Sequence, residues 1–360
     1  MMNRLRNILL ATLVGCGMTA VLTSCGDDDS DYVASGQSIS IVSNDLIFPA
    51  AGSTSTVQVQ TAGAALEAAV DADWCSAHVD GFVVTVTAEP NYGFDGRTAI
   101  LTLTSGSSTR QLPIQQLGMV LDMPMAVNAH YSPRAGEEFA LPLAHNLPLV
   151  ATSPQSWLHP VVDGNTLRIR VDGNDGGHIR RGVVVCECGD YVDTLRIAQF
   201  DMMDDVVGSY YMMGYFGGVG GTPSATRFDI IMRNDSLFMH WPQDLYAAAY
   251  IHIPIDRTDC SLFIPSGFVL RETAQSVVAG YFYDSEGSLA TSSTVGATAR
   301  LVYSSSTGFN SAPLQMANWA GHTLGGFVIR QTSFVSSNLM QLATPVLMRV
   351  GPVGTTLDDI

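Results

Sequence analysis

The chain matches itself at a constant offset of 83 residues, and this repeat restricts it to an architecture of modules in series. Trp74 aligns with Trp157, Asp80-Gly81 with Asp163-Gly164, Asn91 with Asn174 and Arg97 with Arg180. Leu112, Ile114 and Gln116 align with Leu195, Ile197 and Gln199. No gap is needed from Trp74 to Gln116. Upstream, Phe48 aligns with Tyr131 and Gly52 with Gly136, so a shift of one residue lies between those pairs. At 360 residues, two or three domains are expected.

Both copies read as strands. Val84 and Val86 alternate with Thr85 and Thr87, and Leu167, Ile169 and Val171 alternate with Arg168 and Arg170. A period of two with one apolar face is the pattern of a half-buried strand. Asp80-Gly81 and Asp163-Gly164 are turn signals before those strands. Ala99, Leu101 and Leu103 then oppose Thr98, Thr102 and Thr104, and the second copy answers with Gly182, Val184 and Cys186. Each copy closes on a short strand, Leu112-Pro113-Ile114 or Leu195-Arg196-Ile197. About seven strands in roughly 80 residues imply an immunoglobulin-like sandwich. Hydrophobic residues make up 46% of the chain and charged ones 14%, enough apolar material for packed cores.

Residues 202–360 do not continue the repeat. Phe228–Met232 and Ser236–Trp241 bracket Arg233-Asn234-Asp235, which predicts a hairpin. Ile251-His252-Ile253-Pro254-Ile255 alternates, and its proline predicts an edge or a bend. The expected fold class is all-β: two Ig-like β-sandwich domains in tandem, then an antiparallel β-sandwich or lipocalin-like barrel.

The N-terminus points to export. Arg4 and Arg6 precede an apolar stretch from Ile8 to Val14, extended less strongly to Leu22, and then Leu22-Thr23-Ser24-Cys25. A positive start, a short apolar core and small residues at the cleavage point make a secretory signal. The cysteine after them resembles the lipobox of bacterial lipoproteins. That resemblance implies cleavage before Cys25, lipid on its sulfur and a membrane partner held through acyl chains. Gly26-Asp27-Asp28-Asp29-Ser30-Asp31 resembles the acidic lipoprotein export signal of Bacteroidetes, which implies an outer-membrane anchor facing the cell exterior. The expected boundaries are 1–24 for the signal peptide, 25–37 for an acidic tether, 38–118 and 119–201 for the two repeats, and 202–360 for the β-rich remainder. Lysine is absent. Removing Arg4 and Arg6 with the signal takes the formal charge from −16 to −18, which argues against a nucleic-acid partner.

The repeat carries a family likeness. Trp74-Cys75, Asp80-Gly81, Asn91, Arg97-Thr98-Ala99-Ile100-Leu101-Thr102 and Ile114-Gln115-Gln116-Leu117-Gly118 together resemble the BACON (Bacteroidetes-associated carbohydrate-binding often N-terminal) domain. The second copy departs from that pattern, with Leu158 at the position of Cys75 and Ala198-Gln199-Phe200 at that of Gln115-Gln116-Leu117. The resemblance implies a carbohydrate-related role for these modules, as binders or as spacers.

No catalytic, cofactor or metal constellation is expected. Cys186-x-Cys188 has no partner pair at zinc-finger spacing, and the repeat puts Cys186 where the first copy has core Leu103. Cys75 and Cys260 fall in different modules and are expected to be unpaired. The histidines include no H-E-x-x-H, and no G-x-S-x-G occurs. Gly217-Gly218-Val219-Gly220-Gly221 lacks the lysine of a phosphate loop and reads as a loop. Asp201, Asp204 and Asp205 read as a solvated connector. Trp74 and Trp157 are expected in the cores.

Sugar rings stack on exposed aromatic faces, so the candidates for a glycan-binding platform are the aromatics of the last module. Trp241, Tyr246, Tyr250 and Trp319 are the leading ones, with Tyr281 and Tyr283 beside them. The expected function is glycan recognition, or an accessory and spacer role in it. The alternative is a structural or adhesive surface subunit that binds another protein.

Overall fold

The computed structural model describes residues 39–62, 65–122, 128–241, 249–333 and 336–359. Cys25, the signal segment, the acidic tether and Tyr246 lie outside them. The described residues are almost entirely β, as expected, and none of their helices is long and apolar enough to cross a membrane.

Each repeat folds into two facing sheets. In the first, Ser40–Ser43, Ser53–Gln60, Val83–Ala88 and Cys75–Asp80 form one sheet in that order. Ile47–Phe48, Ser108–Gln116, Arg97–Ser105 and Leu66–Val70 form the other. The second repeat has Glu137–Pro142, Thr166–Val171 and Leu158–Asp163 facing Ala129–Pro133, Tyr191–Phe200, Arg180–Cys188 and Val150–Thr152. Each has one short early strand parallel to its last one, Ile47–Phe48 to Ser108–Gln116 and Ala129–Pro133 to Tyr191–Phe200, and their other pairings are antiparallel. The sheets face because alternation leaves each strand one apolar side. Val84, Val86, Leu101, Leu103 and Ile114 are fully buried, as are Leu167, Ile169, Val184 and Cys186. Each large aliphatic side chain removed from water in this way contributes about 1.5–3 kcal/mol. Cys186 is thus a small core hydrophobe, and Cys75, Cys188 and Cys260 are likewise buried and free.

The rest of the chain forms a single sheet, 15-stranded among the described residues, which both forks and curls. The Arg233-Asn234-Asp235 hairpin forms as expected, with Asn234 and Asp235 at φ 49° and 59° in the left-handed conformation of a tight hairpin turn. Tyr250–Ile253 lies at one end of the hydrogen-bonded order and Ile255–Asp256 at the other. Only Pro254 separates them in sequence, so the sheet returns upon itself at a residue with no N–H to give. The Pro254 carbonyl accepts from Phe263 N–H at 2.9 Å. The outcome is a near-closed, barrel-like sheet rather than a sandwich, and its fork distinguishes it from a plain lipocalin-like barrel.

The fork is made by the 15-residue strand Ser337–Gly351. One side of it pairs with Gly208–Phe216. The other side pairs first with His322–Thr332, through Ala343, and then with Phe309–Met316, from Val346. The switch falls at Thr344-Pro345, where the register slips against Gly208–Phe216 and Thr344 adopts φ 45°. Proline cannot donate to a ladder, so a bulge is where a long strand can hold one.

The second repeat is fused to this domain. Ile179, Ala198 and Phe200 belong to the same apolar cluster as Tyr210, Phe228 and Trp241. Asp201 caps a single helical turn, Met202–Val206, by accepting from Met203 and Asp204 N–H. Asp205 is 2% exposed and pairs with Arg134 at 3.0 Å, and Asp204 pairs with the same guanidinium. The acidic trio is therefore not a solvated connector: its members cap a helix and anchor an arginine across the junction.

Candidate functional site

The residues that defined the repeat turn out to be a structural clamp, built twice with the same atoms. Arg97 Nε donates to Gln116 Oε1 at 2.8 Å, and Arg180 Nε to Gln199 Oε1 at 2.6 Å. Arg97 Nη2 reaches the carbonyls of Glu89 and Pro90, and Arg180 Nη2 those of Asp172 and Gly173. Each guanidinium lies over its tryptophan, 4.5 Å from the Trp74 ring centre and 4.2 Å from that of Trp157. Asn91 and Asn174 donate to the carbonyls of Asp95 and His178. Nε and Nη2 of each arginine and the two asparagine amides all donate within their own module, and one face of each indole is covered by arginine. These residues hold the sandwich shut and offer a ligand little.

The leading aromatic candidates do not form a platform. Trp241 is fully buried between Phe228 and Phe268, with Nε1 on Thr226 Oγ1 at 3.3 Å, so it presents no face to a sugar. Its apolar surroundings drew it into the barrel core. Tyr250 is 38% exposed, but Arg233 sits 3.6 Å above its ring and His240 stacks on it at 4.4 Å. Two groups that close cannot share one face, so both faces are taken. Trp319 is described by its backbone alone, which pairs with His322. Tyr246 lies outside the described residues.

An open cleft lies instead at the fork. Its larger lobe, about 840 Å³, is walled by two hairpin turns, Gly217–Val219 and Tyr283–Gly287, and by Thr323–Gly325 at the start of the strand His322–Thr332. A smaller lobe of about 440 Å³, lined by Tyr215, Pro313 and Met316, shares Leu324, Gly325 and Thr344 with the first. Two register slips make the shared floor. One is at Thr344-Pro345, and the other at Gly325, between the pairs Tyr283↔Gly326 and Asp284↔Leu324. Bulges of this kind re-aim side chains and break a ladder, which opens space beside the strand. Tyr283 lies flat on Gly326, where a Cβ would stand 2.1 Å from its ring. Tyr215 is 39% exposed over the smaller lobe. Gln341, Thr323 and Thr344 add amide and hydroxyl groups.

At the rim, Asp284, Glu286 and His322 bring ligand-type atoms within 4.8 Å of one another, the one such trio among the described residues. Asp284 Oδ1 accepts from Glu286 and Ser288 N–H at 2.9 and 2.7 Å, and Oδ2 stands 2.5 Å from His322 Nδ1. Burial pushes the Asp284 carboxyl up, but the amides of Ser288 and Glu286 and the adjacent His322 outweigh it and hold the group below the ordinary carboxylate range. An ion pair and a turn thus account for Asp284. Both carboxylates come from one turn, so they do not flank the cleft as a pair of glycosidic acid–base groups must. An aromatic-walled cavity of this size with a few polar groups suits a sugar segment.

Comparison with known proteins adds one family. The BACON family profile, described as "Putative binding domain, N-terminal", matches residues 64–117. No curated protein matches the chain. Among solved structures, an endo-fucoidan hydrolase of glycoside hydrolase family 107 is similar at 11% identity and a TM-score of 0.25, over 47% of this chain and 29% of its own. A Bacteroides ovatus GH5 xyloglucanase is similar at 22% identity and a TM-score of 0.21, over 27% of this chain and 22% of its own. The I9–I11 tandem of titin aligns at 10% identity and a TM-score of 0.34, over 83% of this chain and 97% of its own. The chain therefore spans under a third of the length of either hydrolase.

Proposed function

We propose that the protein is a lipid-anchored surface protein of the Bacteroidetes type that recognises a glycan in the forked-sheet cleft and performs no chemistry on it. The observation that carries this reading is the cleft: about 840 Å³, floored by two bulges, with Tyr283 locked over Gly326 and Gln341, Thr323 and Thr344 around it. Tyr283 and Tyr215 would stack on sugar rings, and the amide and hydroxyls would order the sugar hydroxyls. The two Ig-like modules, both BACON-like in this reading, stand between the tether and that site. Cys25 would carry the lipid, as the lipobox resemblance implies, and hold the chain in the outer membrane facing outward.

Titration of a glycan panel into the mature protein tests the site. At least one oligosaccharide should bind, and Tyr283→Ala should weaken it about tenfold or more, the loss of one stacked aromatic contact. Binding unchanged in Tyr283→Ala and Gln341→Ala removes the cleft as the site. Intact-mass measurement of the membrane fraction tests the anchor. It should find a chain beginning at acylated Cys25, and an unprocessed, unacylated chain in the cytosol overturns it.

A further inference from the structure

We propose a second ligand site: the crevice between the second repeat and the C-terminal domain binds one oxyanion, a carboxylate or sulfate group, between Arg181, Arg196 and Arg300. The inference stands apart from the cleft, on different residues and a different charge.

The crevice has a volume of about 190 Å³ and is lined by these three arginines with Gln155, Thr258 and Asp259. That is room for one anionic substituent and not for a sugar ring with its neighbours. In a chain with no lysine, 17 arginines and a net charge of −16, three arginines on one small cavity are a marked concentration. Asp259 is the one carboxylate lining it among the described residues. Arg300 Nε already holds both Asp259 oxygens at 2.8 Å, and Arg181 Nε stands 3.4 Å from Oδ1. Three positive groups against one negative leave the crevice with a net positive charge, a field that favours an entering anion.

The individual donors point the same way. Arg181 Nη2 is spent on the carbonyls of Asp259 and Leu301, both at 2.7 Å. Its Nε is buried and has no hydrogen-bond partner, since Asp259 approaches it without hydrogen-bond geometry. Burial and the charge of Arg300 lower the Arg181 pKa, and Asp259 offsets part of this. Arg196 is exposed and has no ion pair or side-chain hydrogen bond among the described residues. Arg181 faces Ala198 and Val183 faces Arg196 across adjacent strands, so the two arginines are diagonal neighbours on one sheet face. Long side chains meet at that spacing, and like charges there repel. Gln155 gives its carbonyl oxygen to Val183 N–H at 2.8 Å, leaving its amide nitrogen as a further donor. An oxyanion accepting from Arg196 and Arg300 would also tie the second repeat to the barrel, because the two residues belong to different modules. Free inorganic sulfate and the sulfate or uronate group of an acidic polysaccharide share this chemistry.

The test is calorimetric titration of the mature protein with millimolar sodium sulfate, with a sulfated oligosaccharide, with a uronate oligosaccharide and with a neutral one, at constant ionic strength in chloride. Saturable binding of an acidic ligand is expected, weakened about tenfold or more in Arg196→Gln through the loss of one charge-assisted contact. Arg196 has no partner to lose and a like charge beside it, so in chloride this variant should be no less stable than wild type. Binding of sulfate alone assigns the site to a free anion, and binding of an oligosaccharide alone assigns it to an acidic glycan. The proposal is overturned if no acidic ligand binds, if Arg196→Gln binds as well as wild type, or if binding is lost in Tyr283→Ala and kept in Arg196→Gln.

Discussion

Replacing Arg97 by Met removes the centre of the first clamp while keeping its aliphatic length. Gln116 is 2% exposed, and Arg97 Nε is the donor to its Oε1. Leaving that acceptor buried and unpaired costs about 1–3 kcal/mol. The lost guanidinium–indole contact with Trp74 adds about 0.5–1 kcal/mol. The Pro90 carbonyl turns to water, and the Glu89 carbonyl keeps the Gln116 amide, so neither adds much. The sum is about 1.5–4 kcal/mol, a rise of roughly 10- to 700-fold in the opening equilibrium. Hydrogen exchange in peptides covering Arg97–Ser105 reads that opening locally, which matters because a chain of several modules has no single unfolding transition. Arg180→Met should accelerate exchange in Arg180–Cys188 by a similar factor, since its contacts match atom for atom. In Arg97→Met/Gln116→Met, the loss should fall short of the sum of the two single losses, because both partners of the Nε–Oε1 bond go together. Exchange less than about fivefold faster in both single variants, or strict additivity in the double, would refute the clamp.

Trp241→Ala should destabilise the barrel by about 3–5 kcal/mol, as for other buried aromatics, while the folded fraction keeps its glycan affinity; thermal melts and titration separate the two. Gly326→Ala places a Cβ 2.1 Å from the Tyr283 ring and should displace it, lowering glycan affinity about as much as Tyr283→Ala does. The depressed Asp284 pKa means that its carboxylate adds stability at neutral pH, and this is lost as pH falls through its folded pKa. Melting curves of wild type and Asp284→Asn should therefore differ at neutral pH and converge below the ordinary carboxylate range. Burial pushes Cys186 up to about 11 and Cys260 up to about 12, so a thiol reagent at pH 8 should label neither until the protein unfolds.

The repeat modules were legible because their chemistry is local and periodic. Val84, Val86, Leu101 and Leu103 alternate with threonines, and a strand with one apolar side has one way to face a core. The clamp residues were visible as matched letters. Their role was not, since Trp74, Arg97 and Gln116 meet only once two sheets close on each other. The cleft was largely hidden. Tyr283 was named as a candidate, but Tyr215, Gln341 and Thr344 carry no signal of their own. Pro345 inside an apolar run and the pair Gly325-Gly326 were the available hints, because a proline or a glycine within a strand marks a bulge. Trp241 illustrates the opposite failure. It continues the buried face of Leu237 and Met239, so the alternation of that strand already placed it inward, and its aromatic type was the misleading signal.

From its sequence alone, this chain declares its strand content, its duplicated sandwich, its acidity and the hairpin at Asn234-Asp235. All of these follow from side chains within a few residues of one another or from a repeat in plain view. Tertiary structure decided where Ser337–Gly351 changes neighbours, where Pro254 lets the sheet return upon itself, and which arginines from separate modules share a crevice. Those outcomes depend on which strands and modules become neighbours, from Gly326 beside Ala343 to Arg181 on the carbonyl of Leu301, and periodicity has no term for such pairings.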